Sequence, residues 1–269
     1  MSLSRRALLM GGAATLTAAA LASHAAETPR EGFSQSAHGR IWWKIVGSGP
    51  RTPLLVLHGG PGAGHDYLES LAALADQRPV IFYDQLGCGR SDKPDAPDLW
   101  NVDYFVSEID LIRSELGLDR VILYGHSWGG WLAQEYLAQR GDQARVNALV
   151  LAGTSASIRQ FVAGAQGLLA AMPGEMDQKR RELEAAHKMQ TPEYQAIVEA
   201  FYDAHLYHSP EPAPAFLKAI ENLSTSKTYP AMNGPNEFTV TGTLKSWDRE
   251  SSLASISTCL LYTSPSPRD

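Results

Sequence analysis

A chain of 269 residues, 44% apolar and 19% charged, has an ordinary globular composition, with material for one sizeable core and an inserted subdomain. Its net charge of −6, with no block of Lys and Arg in the body of the chain, argues against nucleic acid as a partner and against stable attachment to an anionic membrane. The sequence carries no ligand cluster with metal spacing, so neither a metal nor an organic cofactor is implied.

At the N-terminus, Ser4-Arg5-Arg6-Ala7-Leu8-Leu9 sets two arginines ahead of a Gly/Ala/Leu stretch that ends at Ser23-His24-Ala25. Residues 1–25 resemble a twin-arginine export signal cleaved after Ala25, which implies a periplasmic or secreted protein. The stretch is too short and too weakly apolar to span a membrane well. Residues 26–36 read as a mobile linker, and His38 to Val46 as a strand that ends at the turn Gly47-Ser48-Gly49-Pro50. Pro53-Leu54-Leu55-Val56-Leu57 is a continuous apolar run of the kind buried on both faces of a sheet. It delivers His58-Gly59-Gly60-Pro61-Gly62 to the sheet edge. Gln77 to Asp84 reads as a further strand, and it feeds the glycine-rich loop Gln85-Leu86-Gly87-Cys88-Gly89-Arg90-Ser91-Asp92-Lys93-Pro94.

Apolar residues at 102, 105, 106, 109, 112 and 116 keep helical spacing, and Gly117 supplies the stop. Arg120 to Tyr124 reads as a strand, Trp128 to Arg140 as a helix and Val146 to Leu151 as the next strand. This alternation predicts an α/β fold with a mostly parallel sheet and a site at the carboxyl ends of its strands. Gly125-His126-Ser127-Trp128-Gly129 sits at the strand-to-helix junction and fits Gly-x-Ser-x-Gly, whose sharp turn lifts a serine oxygen above the sheet. A surface Gly/Ser turn is the blander reading, and the flanking strand and helix argue against it. Ser127 is therefore the candidate nucleophile. An oxyanion needs two backbone N–H donors, one after the nucleophile and one from a loop after an earlier strand. Trp128 and Gly60 are assigned to these places, with Gly59 as the fallback for Gly60.

His58 to Gly62, Asp84 to Asp92 and Gly125 to Gly130 together resemble the proline iminopeptidase family of α/β hydrolases, in which HGGPG, DQxGCGxSD and GxSWGG occur in this order. The resemblance spans roughly residues 39–248. It implies an α/β-hydrolase core over 26–154, a helical cap over 155–240 and a return to the core over 241–258. Within the cap, Lys179-Arg180-Arg181-Glu182-Leu183-Glu184 reads as a solvated helix face. Phe161, Phe201, Tyr202 and Tyr207 are candidates for a pocket lining, though ordinary cap packing explains them as well. Phe238 marks the first strand-like residue after the cap helices. The segment Gly234-Pro235-Asn236-Glu237-Phe238 resembles a family segment whose glutamate binds the substrate's α-ammonium, which implies that role for Glu237. Cys88 reads as a small buried structural thiol.

Serine hydrolysis on this fold runs in chain order Ser…Asp/Glu…His. No histidine follows His208, and Asp269 stands in the tail Cys259-Leu260-Leu261-Tyr262-Thr263-Ser264-Pro265-Ser266-Pro267-Arg268-Asp269. That tail resembles the translation of a sequencing adapter, so the natural sequence is expected to end its match near Thr258, with the catalytic acid and base beyond it. His58 and His126 read as loop-positioning residues; His187, His205 and His208 read as cap surface. Leu260 to Thr263 is β-compatible enough to fill a vacant strand place by accident. The expectation is a serine aminopeptidase acting on peptides or small amino-acyl substrates, preferring an N-terminal proline, with the present chain an inactive truncation. An esterase, lactonase or amidase on the same scaffold, or a non-catalytic binding protein, is the alternative.

Overall fold

The structure is a computed structural model that describes residues 28–263 apart from His208 and Pro210. The export-signal segment, His208 and Asp269 lie outside the described residues. Seven strands form one sheet: β1 (Arg30–Ser36), β2 (Gly39–Val46), β3 (Leu54–Leu57), β4 (Val80–Tyr83), β5 (Val121–His126), β6 (Val146–Ala152) and β7 (Cys259–Thr263). Their order is β1-β2-β4-β3-β5-β6-β7. β4, β3, β5, β6 and β7 run parallel to one another, while β1 and β2 form an antiparallel margin. β3 and β4 are buried at every position, as their unbroken apolar sequences require for strands covered on both faces.

Helix α1 (Val102–Glu115) starts where the Asn101 side chain accepts from the Tyr104 N–H at 3.0 Å. It buries Phe105, Val106, Ile109 and Ile112 against the sheet, the stripe that the spacing predicts. Helix α2 (Trp128–Arg140) is buried from Trp128 through Leu137 and runs through the centre of the main core. That cluster joins Leu55, Leu57, Ile81, Leu123, Trp131 and Trp247, so the return segment near Trp247 is packed into it. Glu135 on α2 pins the return: it accepts from Trp247 Nε1 at 2.9 Å and from Arg249 Nε and Nη2 at 2.7 and 2.6 Å.

The cap consists of α3 (Ile158–Ala170), α4 (Met176–Ala185), α5 (Pro192–His205), α6 (Pro214–Thr225) and α7 (Thr228–Met232). Ser157 caps α3 by accepting from Gln160 N–H, and Pro192 and Pro214 take first-turn places where a missing N–H costs nothing. The cap has its own core of Ala165, Leu169, Tyr194, Ile197, Phe201 and Phe238.

Three expectations are corrected here. Arg30 to Ser36 is a strand, paired in full with β2 from Arg30↔Ile45 to Ser36↔Gly39. Its polar sequence hid this, but Ser36 Oγ donates to Gly39 O at 2.7 Å and accepts from His38 N at 3.1 Å, which closes a tight hairpin. Within the charged run of α4, Arg180 is buried, bonded to Asp177 and Glu184 and lying 5.9 Å from the Phe238 ring centroid. Pairing at i−3 and i+4 lets a charge enter the cap core. Phe238 begins no strand. It sits in a turn closed by the Asn236↔Thr239 bridge, with its ring in the cap core.

β7 pairs with β6 from Ala148↔Cys259 to Ala152↔Thr263, yet all five of its residues are exposed. Its main chain is satisfied on one edge while Leu260, Leu261 and Tyr262 stay more than half exposed, so the pairing makes little demand on sequence.

Candidate active site

β5 runs into α2 through Ser127, which holds φ 53° and ψ −122°. A side chain in that region is strained, and the surroundings enforce it. Ser127 N donates to Ala152 O at 3.0 Å, and Ser127 O accepts from Gly130 N at 2.8 Å and from Thr154 Oγ1 at 2.9 Å. Two glycines make the turn possible. A Cβ on Gly129 would stand 2.0 Å from Leu57 O, and one on Gly125 would stand 2.4 Å from Gly129 O. Strand and helix approach too closely for any side chain at either position.

Three loops meet around this turn. Trp128 Nε1 donates to Gln85 Oε1 at 2.8 Å, while Gln85 Nε2 donates to His58 O at 3.2 Å and Gln85 N to His58 Nε2 at 3.0 Å. His58 Nδ1 faces Gly59 O at 2.9 Å and so carries the proton; burial pulls its pKa down and keeps it neutral. Cys88 is fully buried, and its thiol donates to Gln85 O at 3.1 Å. Burial pushes that thiol well up, which fits a structural donor better than a reactive group. Asp84 clamps the same loops by accepting from His65 N, His65 Nδ1 and Arg90 N, each at 2.8 Å.

Two of the three N–H groups proposed for an oxyanion are free. Among the described residues no acceptor takes the N–H of Trp128 or of Gly60, whereas Gly59 N donates to the Tyr67 hydroxyl at 2.8 Å. Gly59, the fallback, is therefore occupied, and Gly60 is the available donor on this loop. Sequence reasoning missed Tyr67 because the 3-10 helix that carries it, Asp66–Leu74, has no motif. The Tyr67 hydroxyl also lies 2.8 Å from His126 Nδ1. Among the described residues His126 Nδ1 is the one acceptor beside that hydroxyl, so its proton goes to Nδ1, leaving the His126 proton on Nε2. Burial lowers the His126 pKa to about 4, consistent with a neutral ring.

A cavity of about 500 Å³ opens over Ser127, floored by Gly59, Gly60, Tyr67, His126 and Gly153 and roofed by α3, α5 and α6. Phe161, Phe201 and Tyr202 line it; Tyr207 does not, and stacks on Phe216 instead at 4.3 Å between ring centroids. Glu237 lines the same cavity and accepts from the Tyr229 hydroxyl at 2.7 Å. Burial raises the Glu237 pKa against the opposing pull of that bond. Among the described residues no side chain hydrogen-bonds Ser127 Oγ: His58 and His126 are engaged as above, and His205 stands at the rim against Phe201.

The α/β hydrolase fold model matches residues 52–258. The proline iminopeptidase of Thermoplasma volcanium is 38% identical over 226 residues, covering 83% of this chain and 76% of that protein. The chain belongs to the proline iminopeptidase family of α/β hydrolases. The relative from Levilactobacillus brevis is also 38% identical, over 84% of this chain and 76% of its own length. The solved proline iminopeptidase of Mycobacterium smegmatis superposes with a TM-score of 0.77 at 32% identity, covering 87% of this chain and 80% of that one.

Proposed function

We propose that this protein is a serine aminopeptidase that releases an N-terminal residue, preferably proline, from peptides or small amino-acyl substrates. The observation that carries this reading is that Ser127 and the carboxylate of Glu237 line one cavity. Glu237 takes the substrate's ammonium, a charge-assisted contact made stronger by partial burial. Ser127 Oγ then attacks the carbonyl, and the N–H groups of Gly60 and Trp128 receive the negative charge that develops on oxygen. The α2 N-terminus adds its dipole at the same point. A base takes the Ser127 proton and passes it to the amide nitrogen as collapse breaks the C–N bond and expels the amine; water, deprotonated by the same base, then displaces Ser127 from the acyl carbon, and the proton returns to Oγ.

The attack needs a base within hydrogen-bond reach of Ser127 and an acid to orient it. We propose that both come from sequence following Thr258 in the parent gene, that residues 259–269 are foreign to it, and that the present chain has little activity. Loss of triad members removes roughly 10⁴- to 10⁶-fold in rate. We also propose export by the twin-arginine route to the periplasm, on the strength of Arg5-Arg6 and the small-residue pattern at Ala25.

The test is hydrolysis of proline p-nitroanilide and its N-acetyl analogue, by this chain and by a version extended with the genomic downstream sequence. The extended protein is expected to cleave the free amine and spare the acetylated one. Equal cleavage of the two would reject the aminopeptidase reading in favour of a general amidase, and full activity in the present chain would reject the missing-base reading. Arg5→Lys with Arg6→Lys is expected to retain the protein in the cytoplasm; undiminished export would reject the twin-arginine route.

A further inference from the structure

Two helical stripes face each other across the cavity. Phe161, Ala165 and Leu168 lie along α3; Leu223, Ile220 and Phe216 lie along α6. Both sets follow i, i+3/i+4, i+7 spacing, so each forms one continuous apolar wall. The α6 wall starts at the candidate oxyanion loop, where a Cβ on Gly60 would stand 3.0 Å from Leu223 Cδ2. Along it Leu223 and Phe216 are half-buried and Ile220 is exposed. At the outer end Leu168 is 48% exposed, Ile220 38% and the neighbouring Leu206 47%, an apolar rim around the mouth.

The charge distribution is lopsided. Glu237 is the only acidic residue lining the cavity, and no lysine or arginine lines it among the described residues. On α6 itself, Lys218 is exposed and spent on Glu221 at 2.8 Å. A substrate amine held at Glu237 and a carbonyl at Ser127 leave the rest of the molecule to run between the two walls. A free dipeptide would bring its carboxylate into a corridor that no lysine or arginine lines and where His205 at the rim is the one imidazole outside the Ser127 turn, which costs affinity. An uncharged apolar group would instead bury surface there and on the exposed rim.

Resting on the proposed amine recognition by Glu237, we propose that the corridor between α3 and α6 is a subsite for an uncharged, extended apolar leaving group. The preferred ligands are prolyl amides of apolar amines, or peptides continuing with apolar residues, over free dipeptides.

The test measures binding to the full chain by calorimetry, which needs no working base. The probes are L-prolyl n-alkylamides from ethyl to octyl, their N-acetyl counterparts, and prolyl-leucine as free acid and as amide. Should the chain turn the amides over, kcat/KM replaces Kd as the readout. Kd is expected to fall about three- to fourfold per added methylene, until the rim is passed. Prolyl-leucine amide is expected to bind at least tenfold more tightly than the free acid. Leu168→Asp with Ile220→Asp, both at exposed positions, is expected to flatten the alkyl series. A flat series in the unsubstituted chain, with acetylation still abolishing binding, overturns the apolar subsite and leaves amine recognition standing. A steep series indifferent to acetylation supports the subsite and rejects amine recognition. An alkyl slope unchanged by the double substitution, equal affinity for prolyl-leucine and its amide, or no binding by any probe overturns the proposal.

Discussion

The Tyr67 hydroxyl lies 2.8 Å from His126 Nδ1 while accepting Gly59 N–H at 2.8 Å, so one phenol joins the loop before the candidate oxyanion donor to the residue before the candidate nucleophile. The two rings also meet edge to face at 5.2 Å between centroids. This arrangement occupies the Gly59 N–H, although Gly59 itself lines the cavity, and sets the tautomer of His126.

Tyr67→Phe keeps the ring and removes both hydrogen bonds. Gly59 N–H loses its partner, a cost of about 1–3 kcal/mol that a urea denaturation would read. The hydroxyl stabilises neutral His126 by donating to Nδ1, so its loss moves the His126 pKa upward from about 4 and mixes the tautomers. Imidazole nitrogen shifts in an NMR titration report both. An unchanged titration would show that His126 is set by packing alone.

Glu237 must be ionised to hold an ammonium, and burial raises its pKa. Affinity for a prolyl amide is therefore expected to fall as pH drops through that raised value, and to fall again at high pH as the amine loses its proton. Tyr229→Phe removes the donor that favours the carboxylate, so the acid limb shifts to higher pH. Glu237→Gln costs about 1.5–3 kcal/mol, roughly 10- to 150-fold in Kd at neutral pH. Calorimetry across pH measures all three.

The buried His65–Asp84 pair predicts a stability profile. Burial pulls His65 down, but its bond to Asp84 and that charge prevail and leave it raised above 6.5; burial pushes Asp84 up, but His65 prevails and leaves it lowered below 3.8. Asp84's contribution is complete above pH 3.8 and is lost as pH falls through its lowered value. His65's contribution is complete below pH 6.5 and is lost as pH rises through its raised value. His58 and His126, both pulled down by burial, tilt the other way and destabilise as pH falls below 6.5. Comparing urea midpoints of the protein and His65→Asn at pH 5.5 and 8.5 isolates the pair: the difference is expected to be larger at pH 5.5. Asp84→Ala, which strips three donors, is expected to cost about 3–5 kcal/mol.

Gly129→Ala would place a methyl 2.0 Å from a main-chain oxygen of β3, which has no room to retreat. The expected loss is at least about 3 kcal/mol, seen as insoluble expression or a melting temperature lowered by more than about 6 °C. Gly164→Ala, where a Cβ meets nothing within 4 Å, is the matched control and is expected to be neutral or mildly stabilising.

By itself the sequence determined the alternation of strands and α-helices from β2 to β6, because runs such as Leu54–Leu57 and the stripe from Val102 to Ile112 carry the periods of a buried strand and an amphipathic helix. It also placed Ser127 at a strand-to-helix turn, since the glycines around it are a local requirement. Only the tertiary structure decided which N–H groups are free. Gly59 and Gly60 are identical in sequence, and the difference lies in a tyrosine hydroxyl brought in from a motif-free 3-10 helix. Likewise Arg180 became a core residue through partners on its own helix and the Phe238 ring, and Arg30 to Ser36 became a strand because β2 lay beside it. Periodicity records which face a segment buries, but hydrogen-bond partners distant in sequence are set by packing.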